Sequence, residues 1–564
     1  MWSFPLHLNG GMDALPRFLQ NPIRLKLVLL YFGIVMLLPG LGDTPLVDWD
    51  ENIYAEASRQ MVERDNYLNI YINDYPFAEK PPFFFWEQAA SYHLWGINEF
   101  AARFPSVLAG LVMVIFCFEV GRRIRDQYLG TIWSLVYLTS LLPGVFARSA
   151  VIDHTFNAFI AIAVFFLYRY DRQYEAWRQQ SGTRTPQHRL SLLIASLCMG
   201  IAVLTKGPLG GVIPLIAFAG YKLLVAPRRT VPLIHFFSCG LISLGVALSW
   251  YLLNWVVYGT EFLQGFIWFQ LSLFSRPLEG HEGPFFYHWL VALIGLFPWT
   301  PFLFLQPKRL WKSEEVHVRS LVRLSVVWIL FVLVLFSLVS TKLPHYSASM
   351  YLPLTLLISL QLHDRKFELP RWSCLVLGLW GVLLAVGLCA VPFLAERYLA
   401  EVSPEFELAW SSGIYWTSGG MLLTMLLGTL LLWRQRFWYG LGIVGLSMIF
   451  CVQGLWRYQV PMIQSYIQTP LVELVREAHQ QQAKVVLYRV VSFAALFYGG
   501  KPIEMLHTYK FPNDPEILNL PNSTDLAIIT ERRMEDSLRN DHPRVQFVKH
   551  SGNFAFYHIP VDSP

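Results

Sequence analysis

The sequence predicts an all-α polytopic membrane protein that ends in a small α/β domain. Of its 564 residues, 54% are hydrophobic and 15% are charged, whereas a soluble protein has about 25% charged residues. Apolar runs of roughly 20 residues recur along the chain up to about position 460. Beyond that point helix-like and strand-like segments alternate, which is typical of an α/β fold.

The apolar runs predict about thirteen transmembrane helices of roughly 20 residues each. They lie near 24–42, 100–121, 128–146, 153–170, 190–206, 208–226, 231–257, 286–306, 321–340, 346–361, 372–393, 412–433 and 437–456. The first run is longer than the apolar part of a signal peptide, and no small-residue cleavage site follows it, so we expect it to be retained. All six cysteines fall inside such runs without a CxxC pair, which predicts packing residues rather than disulfides or a zinc site.

Lys and Arg are concentrated in alternate loops, and this bias predicts the side of the membrane on which each loop lies. The basic loops include 122–125, 308–319 and 434–436. We expect these loops and the N-terminus to be cytoplasmic. The acidic 43–99 loop and the chain beyond about 457 are then extracytoplasmic. The chain divides into a membrane domain, 1–457, and an extracytoplasmic domain, 458–564.

The 43–99 loop is long enough to hold structure of its own. The segment "DENIYAEASRQMVER" predicts a helix with Asp50 as its N-cap and Glu51 in its first turn. The segment "PPFFFWEQAASYHLWG" predicts a second helix that begins at the two prolines. Both are amphipathic or aromatic-rich, so we expect two helices lying at the outer membrane interface.

The predicted outer face gathers acidic and basic side chains. They are Asp50, Glu51, Glu79 and Asp153, with Lys80, Lys206, Arg276 and Lys342, and also His281 and Tyr346. Three of the lysines stand beside proline or glycine, in "AEKPP", "LTKGP" and "STKLPHY", where the topology requires no cation. Cations can bind an anionic phosphate and a carboxylate can accept a proton from a hydroxyl. The mixture predicts group transfer on a phosphate-bearing lipid.

Simpler interpretations of the same residues stay open. Asp153 fits a helix cap, the lysines fit snorkelling toward lipid headgroups, and His281 between two glycines fits a solvated loop histidine. A transporter or flippase for anionic lipids would show inverted repeats and charges near the bilayer midplane. The sequence shows no repeat, and its charges cluster at one mouth.

Several motifs occur in a familiar order. "DENIYAEASRQM", "FAEKPPFFFW", "ARSAVIDHTFNAF", "GIAVLTKGPLG", "GHEGPFFYH" and "TKLPHYSASMYLP" follow one another between about 40 and 360. This series resembles the bacterial aminoarabinose (lipid A) transferases and, more distantly, the protein O-mannosyltransferases. Both groups are GT-C integral-membrane glycosyltransferases. The chain departs from the pattern at Asn52, Ile53, Phe77 and the aromatic run after Pro82, which leaves the sugar and the acceptor open.

The resemblance implies an inverting transfer from a polyprenyl-phosphate-linked sugar on the outer face of the inner (plasma) membrane. The acceptor is a hydroxyl or phosphate of a glycolipid, or the side chain of a protein in the O-mannosyltransferase-like alternative. By motif position, it implies Asp50 as the base, Asp153 as a second orienting carboxylate, Lys80, Lys206 and Tyr346 as donor contacts, Glu51 and Arg59 as support for Asp50, and Glu79 with His281 as ligands of a divalent ion. Arg276 and Lys342 join the substrate-binding set as outer-face cations. No cofactor is required, although a divalent metal ion is allowed.

No GxGxxG follows a strand, and no P-loop occurs. This agrees with a lipid-linked donor rather than a nucleotide sugar, and we expect no nucleic-acid partner.

The C-terminal part predicts alternating elements. "TPLVELVREAHQQ" and "SFAALFYGG" predict helices, and "AKVVLYRV", "DLAIIT", "VQFVKH" and "NFAFYHI" predict strands. No catalytic set of residues is evident there. A lid, an acceptor-docking surface and a purely stabilising unit all remain open for this domain.

Overall fold

The computed structural model of the chain describes residues 21–179, 187–225, 232–275, 281–365, 368–402, 408, 410–508, 518 and 525–560. The described chain up to Ile467 is built mainly from helices. They are α1 Pro22–Leu37, α2 Asp50–Glu63, α3 Phe83–Trp95, α4 Glu99–Ile124, α5 Gln127–Leu138, α6 Leu141–Phe146, α7 Ile152–Gln179, α8 Gln187–Lys206, α9 Leu209–Val225, α10 Leu233–Tyr258, α11 Glu261–Ser275, α12 Tyr287–Gly295, α13 Pro307–Trp311, α14 Val316–Leu338, α15 Tyr351–Arg365, α16 Arg371–Val402, α17 Gly413–Trp433, α18 Phe437–Gly454 and α19 Val460–Ile467.

Seven helices in the described part of the chain are long and apolar enough to cross a membrane. They are Glu99–Ile124, Gln187–Lys206, Leu233–Tyr258, Val316–Leu338, Arg371–Leu399, Gly413–Trp433 and Phe437–Ile467. Some of the other predicted spans correspond to helices shorter than 18 residues, such as α1 and α15. Another corresponds to α7, whose second half carries charged residues, and others are interrupted. The chain is therefore a multi-pass membrane protein, and the count of about thirteen stays a prediction.

Two predicted spans are interrupted. The span at 128–146 is divided into α5 and α6, and the span at 286–306 into α12 and a 3₁₀ turn at Thr300–Phe304. Prolines inside both segments explain the breaks, because proline removes a backbone donor and clashes with the preceding turn. An unpredicted helix, α11, follows α10. Its 15 residues are too few for a full crossing.

Local sequence explains where several helices begin and how closely they pack. The side chains of Asn98 and Asp126 accept hydrogen bonds from the amides of Ala101 and Leu129, both at 2.9 Å, and so cap α4 and α5. A Cβ added to Gly121 would come within 2.7 Å of the Gly130 Cα. Only small residues allow α4 and α5 to approach this closely.

The basic loops meet at one end of the helix bundle. Arg125 pairs with Glu315 at 2.7 Å and with Asp364, so three separate loops join there. Lys26, near the start of α1, pairs with Glu119 at 2.9 Å at the same end. The structure thus groups these loops as the charge pattern predicts. Their cytoplasmic orientation stays a prediction.

The C-terminal part folds into the expected small sheet with helices. It contains α20 Thr469–Gln480, α21 Phe493–Gly499 and α22 Glu535–Asp541, with β3 Lys484–Tyr488, β4 Glu504–Leu506, β5 Leu526–Glu531, β6 Gln546–Ser551 and β7 Phe554–Ile559; the hairpin β1 Tyr71–Ile72 and β2 Tyr75–Pro76 belongs to the 43–99 loop. The strand order is β4-β3-β5-β7-β6. Strand β3 is parallel to β4 and β5, and β7 is antiparallel to β5 and β6. The four predicted strands and two predicted helices are confirmed. Strand β4 and helix α22 were not predicted, because each is too short for a clear periodicity.

Candidate active site

A cavity of about 410 Å³ opens at the end of the bundle opposite the basic loops. It is bounded by the start of α2, the ends of α6 and α8, helix α11 and the loop between α14 and α15. Seven predicted site residues line it: Asp50, Glu51, Glu79, Lys80, Lys206, His281 and Tyr346. The structure therefore brings together motifs that are far apart in the sequence.

Asp50 begins α2 and faces this cavity. It was expected to be the N-cap, but that prediction is wrong, since the cap position belongs to Trp49, which has φ of 86° and makes no side-chain cap bond. The Asp50 side chain keeps 29% of its surface exposed. A carboxylate that is not used as a cap and stays reachable suits a base that must meet an acceptor.

Asp153 and Lys206 form an ion pair beside Asp50. Asp153 is 2% exposed and lies in the first turn of α7, and the ammonium of Lys206, the last residue of α8, donates to its Oδ1. The same ammonium lies 4.9 Å from the centre of the Tyr346 ring, within cation–π range. Asp153, Lys206 and Tyr346 thus form one contact unit, so Asp153 is more than a helix cap.

His345 lies between the two carboxylates and was missed in the sequence. Its Nε2 is 3.6 Å from Oδ2 of Asp50 and 3.9 Å from Oδ2 of Asp153. Burial lowers the pKa of His345, while the negative charges of Asp153 and Asp50 oppose that shift. The signal was present in "TKLPHYSASMYLP", but the sequence does not show which of the adjacent His345 and Tyr346 faces Asp50.

Lys80 and Glu79 line the wall of the cavity that faces α11. Lys80 is 9% exposed, and its ammonium lies 4.4 Å from the centre of the Phe269 ring. The aromatic side chain comes from the helix that was not predicted. A lysine held against an aromatic face with its charge at a cavity can meet an incoming phosphate.

The predicted metal ligands share the cavity without forming a metal site. Glu79 and His281 both line it. Within the described residues, no group of three His, Cys, Asp or Glu side chains is spaced to hold an ion, and protein metal sites commonly use at least three such ligands. Among the described residues, Glu79 and His281 therefore do not fit a preformed metal centre.

Lys342 does not reach the cavity as predicted. Its Nζ donates to the backbone oxygens of Phe336, Ser337 and Val339 at 2.8, 2.8 and 2.6 Å. These carbonyls end α14 and have no further intrahelical partner. A lysine that satisfies them acts as a C-terminal cap, so we correct its assignment from substrate contact to structural residue.

Arg59 is not among the described residues that line the cavity. Arg59 donates to Glu56 and Glu63 on its own helix, with nitrogen–oxygen distances from 2.6 to 2.8 Å. Its guanidinium is engaged by these two partners, which stabilise α2 through contacts three and four residues apart. Arg276 lies outside the described residues.

Glu51 fixes the loop that carries Asp50. Its two carboxylate oxygens accept from Arg103 at 3.0 and 2.8 Å, and they also accept from the amides of Val47 and Ala150. Glu51 and Arg103 are 4% and 1% exposed. Both oxygens are engaged in these hydrogen bonds, so Glu51 fixes the position of the loop from which Asp50 projects.

The C-terminal domain holds the same loop from the other side. Asp48 accepts from the hydroxyl of Ser492 at 2.6 Å and from the amides of Phe493 and Ala494 at 3.1 and 3.0 Å. These groups begin α21, where free amides favour an anion. The Trp49 ring packs edge-on against Phe493 at 5.4 Å. The domain therefore clamps the two residues that precede Asp50.

The chain has a GT-C-type fold and is similar to integral-membrane glycosyltransferases. Its whole fold matches ArnT from Cupriavidus metallidurans bound to undecaprenyl phosphate, with a TM-score of 0.74, 19% identity and coverage of 96% of this chain and 98% of that one. The apo structure of the same protein gives a TM-score of 0.72. Residues 43–258 match the family model of dolichyl-phosphate-mannose-protein mannosyltransferase.

Within that class the chain is aminoarabinose transferase-like. It is 25% identical over 394 residues to the undecaprenyl phosphate-alpha-4-amino-4-deoxy-L-arabinose arabinosyl transferase of Photorhabdus laumondii, with 68% of each chain covered. It is 26% identical over 366 residues to the enzyme of that name from Aeromonas salmonicida, with 63% of each covered. These alignments span about two thirds of the relatives' length.

Proposed function

We propose that the chain transfers a sugar from a polyprenyl-phosphate donor to a hydroxyl or phosphate of a lipid A-like glycolipid, with inversion at the anomeric carbon. The observation that carries this proposal is that Asp50, His345 and Lys206 line one cavity, with Asp153 in contact with Lys206 and His345 beside it. The names of the relatives support a lipid-linked donor. So does the undecaprenyl phosphate bound by ArnT.

The basic groups suit the leaving phosphate. Cleaving the sugar–phosphate bond places additional negative charge on the phosphate oxygens, which needs neutralisation more than protonation. Lys80 and Lys206 line the cavity wall, and fixed charges stabilise a developing anion most strongly where water is scarce. Asp153 holds Lys206 in place, and Tyr346 supports the same ammonium from its ring face.

Asp50 suits activation of the acceptor. A hydroxyl must lose its proton as it attacks, and a carboxylate within hydrogen-bond reach can take it. A protonated His345 would lie close enough to Asp50 to offset its negative charge and so weaken it as a base. Burial lowers the pKa of His345 and so favours its neutral form. One carboxylate acting on one acceptor gives a single displacement and therefore inversion.

A hydroxyl acceptor and a phosphate acceptor differ in how much they need Asp50 as a base. A phosphate monoester has a second pKa of about 6 and is largely ionised at neutral pH, so it requires a base less than a sugar hydroxyl does. We propose a glycolipid acceptor because the relatives carry aminoarabinose transferase names. The alternative, an O-mannosyltransferase-like enzyme with a protein hydroxyl as acceptor, is favoured by the family-model match over 43–258.

The test uses purified chain, labelled polyprenyl-phosphate sugars and three acceptors: lipid A, a hydroxyl glycolipid and a Ser/Thr peptide. Transfer to a lipid acceptor supports the proposal, and transfer to the peptide alone supports the alternative. Lys80→Ala should weaken donor binding, and the structural lysine variant Lys342→Met is its matched control. Unchanged donor affinity in Lys80→Ala would overturn the phosphate role of Lys80.

We also propose that this cavity faces the outside of the inner membrane, with the N-terminus cytoplasmic and the C-terminal domain extracytoplasmic. Tyr75 and Lys312 are exposed at opposite ends of the described fold. A membrane-impermeant thiol reagent added to intact cells should label Tyr75→Cys and spare Lys312→Cys. Equal labelling of both would contradict this orientation.

A further inference from the structure

A second cavity lies at the other end of the bundle, far from Asp50. Its volume is about 260 Å³, and it is bounded by the end of α4, the middle of α7 and the start of α14. Its polar lining consists of Glu119, Arg123, Tyr168, Arg169 and His317. The remaining lining side chains are apolar, from phenylalanine, valine, isoleucine and leucine.

Two polar atoms in this lining are buried without a partner. Nε of Arg169 and the hydroxyl of Tyr168 make no hydrogen bond to any described residue. The guanidinium of Arg169 only lies 5.5 Å from the centre of the Phe166 ring. Buried polar groups are nearly always satisfied, so two unsatisfied donors at one cavity indicate a ligand with acceptor oxygens.

The charge around this cavity is mainly positive. Arg172, one turn beyond Arg169, is close enough to act electrostatically on His317 and Tyr168, and its Nε is also unsatisfied within the described fold. Glu119, the acidic residue of the lining, is already ion-paired with Lys26 at 2.9 Å and with Arg122 and Arg123 at 2.8 and 3.7 Å. The surplus positive charge therefore fits an anion.

The apolar walls fit an acyl chain as well as a headgroup. A free phosphate would use the arginines and leave the phenylalanines unused. The cavity also lies where the basic loops meet, the end predicted to face the cytoplasm, and basic pockets between transmembrane helices on that side suit anionic lipid headgroups. We propose that this cavity binds the phosphodiester headgroup of an anionic phospholipid, with its acyl chain against the apolar wall.

Such a lipid would contact α4, α7 and α14, and its negative phosphate would reduce the repulsion between the arginines of α4 and α7. Its phosphate accepts from Arg169 and Tyr168, while Arg123 and Arg172 lie within electrostatic range. Binding should stabilise the fold, because a ligand that binds only the folded chain shifts unfolding by mass action. The site is independent of the sugar transfer, so its test does not depend on a donor or acceptor.

The experiment measures thermal unfolding of the detergent-solubilised full chain with added phosphatidylglycerol, phosphatidylcholine of the same acyl chains, or inorganic phosphate. We expect a saturable rise in the unfolding midpoint with phosphatidylglycerol only. Native mass spectrometry should show the same lipid retained. An equal rise with phosphatidylcholine, or a rise with inorganic phosphate as large as that with phosphatidylglycerol, would overturn the proposal.

Variants locate the site. Arg169→Gln and Arg123→Gln should each weaken phosphatidylglycerol binding by about fivefold, and Tyr168→Phe should weaken it while keeping the ring. Arg434→Gln, an exposed basic residue at the end of α17, is the matched control and should bind as the parent does. Without lipid, Arg169→Gln should unfold at the parent's midpoint or above, because this arginine has no ion pair among the described residues. Retained binding in both arginine variants would refute the assignment.

Discussion

Asp48→Ala should loosen the clamp between the C-terminal domain and the loop that carries Asp50. The substitution removes an acceptor used by the Ser492 hydroxyl and by the amides of Trp49, Phe493 and Ala494. It leaves the first turn of α21 without its anion.

The magnitude follows from those bonds. Hydrogen bonds to a charged group contribute about 1.5 to 3 kcal/mol each, and an unsatisfied buried amide costs about 1 to 3 kcal/mol. Burial raises the pKa of Asp48 and the hydrogen bonds lower it, so desolvation of the carboxylate offsets part of this gain. A net loss of about 2 to 4 kcal/mol is expected.

Two measurements check this expectation. Thermal unfolding in detergent should show a lower midpoint for Asp48→Ala. Turnover should fall about tenfold or more with donor affinity unchanged, because a displaced base harms chemistry more than binding. Asp48→Asn is the matched control, since its amide oxygen can replace Oδ1 and its amide nitrogen can meet the Ser492 hydroxyl. An Asp48→Ala protein with the parent's midpoint and turnover would refute the positioning role of the C-terminal domain.

Three further predictions concern other residues. Lys342→Met should lower stability by about 1 to 3 kcal/mol, because three carbonyls at the end of α14 lose their donor, with donor affinity intact; weaker donor binding in a stable protein would restore its substrate role. Burial raises the pKa of Glu87 to about 7, so the folded chain binds more protons than the unfolded chain between about pH 4.5 and 7. Stability should therefore fall as the pH rises through that window, with a contribution from Glu87 on the order of 2 kcal/mol. Glu87→Gln should remove this contribution in unfolding scans at pH 5 and 8; an unchanged pH dependence would contradict it. His345→Lys places a fixed positive charge beside the base and should lower turnover about tenfold at neutral pH, whereas neutral His345→Gln should retain more of it; equal pH–rate profiles would contradict the role of His345.

Much of the fold follows from periodicity, and the structure shows where that rule stops. The strand at Leu526–Glu531 and the helix at Asp50–Glu63 have clear apolar patterns, and both form. The predicted span at 286–306 contains two prolines. The structure places Pro298 between α12 and the 3₁₀ turn and Pro301 inside that turn. That break was predictable from local chemistry.

The candidate site was predictable at the level of motifs but not of side-chain direction. The partners of Arg59 follow from i−3 and i+4 spacing and could have been predicted. Lys342 looked like an outer-face cation, yet its flexible stem reaches back from the following loop to the carbonyls at the end of α14. The pairing of Glu51 with Arg103 joins residues that are 52 positions apart, and no local pattern records such a contact.

The central claim is that Asp50 acts as the base for transfer at the cavity. The most direct measurement is single-turnover transfer by Asp50→Asn from a labelled polyprenyl-phosphate sugar to a hydroxyl acceptor, with donor affinity measured on the same sample. Loss of the base should slow transfer by about a hundredfold or more, while donor binding through Lys80 and Lys206 stays within a few-fold of the parent. Undiminished transfer by Asp50→Asn would contradict the account.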